Sequence, residues 1–314
     1  MLEKNSSQNI VRTITTFLFT AVIAGVWDVW WHTAIGRDTL WEPPHILLYG
    51  STMLAIIFGV WYWRKTRTKV WRNLALVLLL IPISAPFDEL WHRFFGVENL
   101  SSPLIVWSPP HLAIIATVIM SFFFLLPLIQ EDKDQNAKTL FSSLALVGIL
   151  EMGLFALGPI YPTGPFELLG FWGVFFVVAW VLFVLMYGEK RFKGIGASSL
   201  IILMYLSLAY IPSGSKVALD IKLAPHDHAP NFITTFAFLS VGLILDLTRG
   251  ILPNLLRYLL SGTSFTLLLF IFSRSFFESE FQWSNMDSLI AVISAIVASI
   301  CVSVIEKVFV YKSK

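Results

Sequence analysis

Six histidines stand in the chain, at positions 32, 45, 92, 111, 226 and 228, and four of them occur in a repeated pattern. Residues 28–45 read DVWWHTAIGRDTLWEPPH, and residues 88–111 read DELWHRFFGVENLSSPLIVWSPPH. Asp28, Trp31, His32 and Gly36 map onto Asp88, Trp91, His92 and Gly96. Trp41, Pro43, Pro44 and His45 map onto Trp107, Pro109, Pro110 and His111. The second copy carries a longer loop between its two halves. An Asp and a His four residues apart share one face of a helix, one turn from each other. Pro-Pro-His then opens the next helix, where proline is tolerated because first-turn N–H groups have no intrahelical partner. The second His thereby returns to the level of the first pair. Each hairpin is expected to bring together one carboxylate and two imidazoles: Asp28, His32 and His45 in the first, Asp88, His92 and His111 in the second.

Two imidazoles and a carboxylate form a set of ligands for a divalent transition metal, with copper, zinc and iron all accepting these donors. Three protein ligands leave a coordination position open, which suits catalysis or ligand exchange. Cys301 is the only cysteine, and methionine does not cluster, so a dedicated sulfur relay for copper(I) is disfavoured. The remaining histidines sit in APHDHAP, where His226, Asp227 and His228 resemble a degenerate third Pro-His helix start and form a possible additional site. Arg37 and Asp38 follow His32 and are candidates to orient a ligand; a ligating His needs such an outer partner. Glu151 lies inside an apolar run, where an acid is expensive unless paired or protonated. It is a further candidate for a supporting role. No Gly-rich phosphate loop, G-x-S-x-G or HExxH occurs, and no catalytic residue is assigned. The bland alternative is that each D-x3-H pair only locks its hairpin. The tryptophans around the motifs, among them Trp27, Trp30, Trp31, Trp41, Trp91 and Trp107, read as packing and membrane-interface residues.

The elements that must carry these motifs are apolar. Of 314 residues 56% are hydrophobic and 13% charged, and mean hydropathy is +0.75. This excludes a soluble globular enzyme, a disordered chain and a nucleic-acid binder. The fold class is all-α, a polytopic transmembrane helix bundle with repeated hairpins. Ten spans of ~20 apolar residues are expected, near 13–31, 45–63, 72–88, 111–130, 139–158, 167–187, 196–212, 230–248, 258–273 and 287–310. The first is read as a span, not as a cleaved signal, because it is long and ends in tryptophans without a small-residue cleavage site. Residues 1–130 form a four-span region with both metal-binding hairpins; residues 131–314 form a six-span region, and no separate soluble domain is expected. Seventeen of the 22 Lys and Arg fall in the N-terminal tail, the even-to-odd loops and the C-terminal end. By the positive-inside rule both termini are cytoplasmic, which puts all six histidines on the extracytoplasmic side.

The stretch from His32 to Gly50, HTAIGRDTLWEPPHILLYG, resembles the metal-binding segment of the C subunit of particulate methane monooxygenase and ammonia monooxygenase. That family carries an Asp one turn before an H…I-RDT…P-x-H segment, and Asp28, His32, Arg37, Asp38, Thr39, Pro43 and His45 match it. The family's second site uses Asn and two His; Asp88, His92 and His111 correspond, with Asp88 in place of the Asn. The resemblance implies copper outside the membrane, partner subunits of the monooxygenase type, and oxidation of a small apolar substrate with oxygen. The alternative is a membrane protein for copper or zinc uptake, delivery or sensing, whose substrate is the metal ion itself. Either way the surrounding partner is the lipid bilayer, and no nucleic acid is involved.

Overall fold

In the computed structural model, residues 2–35, 41–95, 108–157, 171–191, 196–208, 232–276 and 285–312 are described. These residues hold ten helices and no strands. We number them α1 (Leu2–Ala34), α2 (Pro43–Thr66), α3 (Lys69–Phe95), α4 (Pro109–Gln130), α5 (Gln135–Leu157), α6 (Phe171–Glu189), α7 (Ala197–Leu208), α8 (Phe232–Leu247), α9 (Asn254–Phe276) and α10 (Asn285–Lys312). Seven of them, all but α3, α7 and α8, are long and apolar enough to cross a bilayer. The chain is thus an integral, multi-pass, all-helical membrane protein. Apolar side chains such as Ile57, Leu80 and Ile293 stay exposed on the helices, as contact with lipid requires. Helix α3 holds Pro82 and Pro86 inside its apolar stretch and polar residues at both ends. Helices α7 and α8 are shorter within the described residues.

Two compact units divide the chain near residue 156, so that the repeat boundary at residue 130 falls inside the first. The first unit holds α1–α5. Helices α1 and α2 pack antiparallel, with Phe17 stacked on Phe58 at 5.9 Å. The α2–α3 turn is tight: Arg67 adopts a left-handed φ of 56° and its N–H closes on the Trp63 carbonyl at 2.7 Å. Tyr62 packs edge-on against Trp71 across that turn. Helices α4 and α5 approach closely where Gly148 lies against the Phe122 ring. The basic end of the unit is fastened by Arg12, which pairs with Asp132 at 2.7 Å, and by the Gln8 amide, which donates to the Leu128 carbonyl. These ties fix the far end of α1, and so the height of Asp28.

The second unit holds α6–α10, with α7 as far as Leu206. Gly262 of α9 lets Ser299 and Ala295 of α10 and Val178 of α6 come close. The start of α7 is capped from another helix: both carboxylate oxygens of Asp246 accept from the N–H groups of Ser198 and Ser199, at 3.2 and 2.7 Å. A carboxylate there satisfies two first-turn donors and complements the positive end of the helix dipole. Nearby, Arg257 pairs with Glu189 and donates to the Leu245 carbonyl, while Arg249 donates to the Glu189 carbonyl. Glu306 accepts from Tyr258 and Asn254. This network satisfies buried charges with partners from four helices, which is what a low-dielectric interior demands.

Candidate metal centre

The first hairpin positions its polar groups at the end of α1 and the start of α2. Asp28 lies on the last two turns of α1. Glu42 takes the position just before α2, with extended backbone (φ −61°, ψ 145°), and Pro43 and Pro44 form the first helical positions. His45 follows on the first turn. Two prolines at the start leave few N–H donors there, and the Glu42 side chain makes no capping hydrogen bond. Its carboxylate turns to the imidazole instead.

His45 Nε2 is 3.0 Å from Asp28 Oδ1, and His45 Nδ1 is 3.7 Å from Glu42 Oε2. The side chains of Asp28, Glu42 and His45 keep 17%, 5% and 12% of their exposure. One donor atom from each residue lies within 4.8 Å of the others. Two ligands each at about 2.1 Å from an ion stand at most about 4.2 Å apart, so Asp28 Oδ1 and His45 Nε2, 3.0 Å apart, already lie within the span that one shared ion allows. With both carboxylates ionised and the imidazole neutral, a divalent cation balances the formal charge. The positive end of α2 also favours the carboxylates beside it. Trp27 and Trp31 flank Asp28 on α1 and meet edge to face at 5.9 Å, and Tyr49 packs on the His45 ring at 5.6 Å. The Tyr49 ring therefore covers one side of the imidazole.

Of the residues expected from the sequence, Asp28 and His45 come together. His32 belongs to α1, and Asp88 and His92 belong to α3, but their side chains lie outside the described residues, as do Arg37, Asp38, His226, Asp227 and His228 altogether. His111 stands on the first turn of α4, after Pro109 and Pro110, and its N–H donates to Ser108 Oγ at 3.4 Å. The two helix starts are thus built alike. Beside the second one is an open cavity of about 380 Å³, lined by Phe87, Trp91, Phe94, Pro109 and Pro110 among others. It borders the segment of α3 that carries Asp88 and His92.

Glu151 is buried in α5 and has no hydrogen-bond or ion-pair partner among the described residues. Gln8 stands beside Leu128, and Gly148 beside Phe122. At 1.5 Å per residue, these registers put Glu151 roughly 16 Å along the helices from Asp28.

Glu42 was absent from the sequence-derived ligand set. Its signal was present: an acid directly before Pro-Pro-His, at the position that precedes a helix start. Its partner in the repeat is Ser108, which hid it from an argument based on identities.

Compared with protein-family models, curated proteins and solved structures, the chain gives no match.

Proposed function

We propose that this chain is a membrane-embedded metal protein whose first hairpin holds a transition-metal ion, copper in the first instance, near the extracytoplasmic surface. The observation that carries this reading is the meeting of Asp28 and His45 from two different helices, with Glu42 beside them. Histidine nitrogen and carboxylate oxygen suit copper(II), zinc and iron alike. Copper is preferred through the resemblance of residues 28–50 to the C subunits of the copper membrane monooxygenases. His32, one helical turn beyond Asp28, is the expected further ligand. The second hairpin, with Asp88, His92 and His111, is proposed as a second site.

The ten helices are read as ten spans, with both termini cytoplasmic. Support comes from the Arg12–Asp132 and Arg257–Glu189 pairs, which fasten helix ends in the Lys- and Arg-rich loops. Under this reading, bound copper would supply one-electron chemistry toward oxygen. The chain's own residues hold the ion, exclude water with Trp27, Trp31 and Tyr49, and offer an apolar cavity at the second hairpin. A cavity of that size and lining suits a small apolar substrate. Partner subunits of the monooxygenase type complete the proposal.

The test is elemental analysis of the full chain purified in mild detergent, beside an Asp28→Ala/His45→Ala variant. One to two copper atoms per wild-type chain, reduced in the variant, are expected. Zinc or iron in their place would keep the centre and remove the monooxygenase analogy. A metal-supplemented chain that holds no metal would overturn the proposal and leave the hairpin as a structural lock.

A further inference from the structure

We propose that Glu42 is the positioning residue of the first hairpin: it holds the Nδ1 edge of His45 so that Nε2 is presented to the metal beside Asp28. This rests on the metal-site reading above and assigns the one acid that the resemblance does not account for.

The imidazole lies between two carboxylates, and its two nitrogens face different ones. Nε2 faces Asp28, which belongs to α1, the helix that also carries His32. Nδ1 faces Glu42, which belongs to the segment that leads into His45's own helix. The other expected ligands therefore lie on the Nε2 side. A ligating imidazole donates its remaining N–H to an acceptor, which fixes the tautomer and the ring plane and raises the basicity of the bound nitrogen. Glu42 stands where that acceptor belongs and is almost fully buried. At 3.7 Å it is beyond hydrogen-bond reach. A movement of about 0.9 Å would bring it to the ~2.8 Å of a charge-assisted bond.

The repeat supplies an internal contrast. Ser108 occupies the same place before Pro-Pro-His in the second hairpin. It also has extended backbone, and its Oγ accepts from the His111 N–H as an ordinary helix cap does. Glu42 makes no such cap. One position thus does two jobs: it closes a helix in the second hairpin and braces an imidazole in the first. The expected result is inequivalent sites, with the first the tighter, since loss of such an outer partner weakens metal binding about 10–100-fold.

The experiment titrates copper(II) into the full chain in detergent for wild type, Glu42→Ser and Glu42→Gln. Pulsed electron paramagnetic resonance then reads the non-coordinated nitrogen of the bound imidazole. Glu42→Ser is expected to weaken the tighter copper about 10–100-fold and to shift the quadrupole signal of that nitrogen. Glu42→Gln, isosteric and still an acceptor, should recover most of the affinity with a smaller shift. If Glu42→Ser leaves both affinity and nitrogen signal unchanged, the positioning role is refuted and the metal site stands. If Glu42→Ser and Glu42→Gln both lose that copper altogether, Glu42 is a direct ligand and the assignment to Nδ1 is wrong. A wild-type chain that binds no copper overturns the metal reading itself, and this inference with it.

Discussion

Metal bound at the first hairpin should stabilise this protein through His45. In the metal-free state His45 Nε2 and Asp28 Oδ1 stand 3.0 Å apart as an ion-pair contact between largely buried groups. Such a contact contributes about 1 kcal/mol, and His45→Ala should remove it whether or not a metal site exists. An ion adds a separate, concentration-dependent term. At a hundred times its dissociation constant it stabilises the folded state by about 2.7 kcal/mol. For a unit of this size that corresponds to a rise on the order of 5–10 °C. The assay is a thermal melt in detergent followed by tryptophan fluorescence, with 12 tryptophans in the chain to report it. Copper should raise the wild-type midpoint by that amount more than it raises His45→Ala, which keeps only the second hairpin's site. Equal shifts in the two proteins would refute the reasoning, because the metal would then be acting elsewhere. A hairpin lock without metal affinity would show a lower midpoint for His45→Ala and no response to copper in either protein.

Other outcomes follow from the packing. Asp246→Ala leaves the Ser198 and Ser199 N–H groups buried without their acceptor and should cost about 2–5 kcal/mol; hydrogen exchange at the start of α7 should speed up, and less so for Asp246→Asn. Gly148→Ala would place a methyl 2.4 Å from the Phe122 ring, so the α4–α5 contact must shift, at about 1–3 kcal/mol, read as a lowered melting midpoint. Arg257→Met strands the Glu189 carboxylate and should destabilise by about 3–5 kcal/mol, whereas adding Glu189→Gln should recover much of the loss.

Much of this architecture was legible because lipid imposes simple rules on sequence. Long apolar runs separated by basic loops give helices, and seven of the ten expected spans fall on helices long and apolar enough to cross a bilayer. The ends were less legible. The first apolar run suggests a start near residue 13, but α1 begins at Leu2, since a helix continues past the point where its residues cease to suit lipid. Pro82 and Pro86 did not end α3, consistent with the tolerance of proline where surrounding groups satisfy the freed backbone. At the site, Asp28 and His45 were legible because helical spacing and a Pro-Pro start dictate where they stand. Glu42 was not, because its role depends on a side chain turning away from the helix it precedes, and no spacing rule encodes that choice. The cross-helix cap by Asp246 was hidden for a related reason: residues 198 and 246 meet only through packing.

The central claim is a metal centre built from imidazole nitrogen and carboxylate oxygen. X-ray absorption at the copper edge of the copper-loaded full chain tests it most directly. A nitrogen and oxygen shell near 2.0 Å, with the outer-shell scattering of imidazole and its loss in Asp28→Ala/His45→Ala, is the predicted result. A shell dominated by sulfur near 2.3 Å, or the same spectrum in wild type and variant, would contradict it.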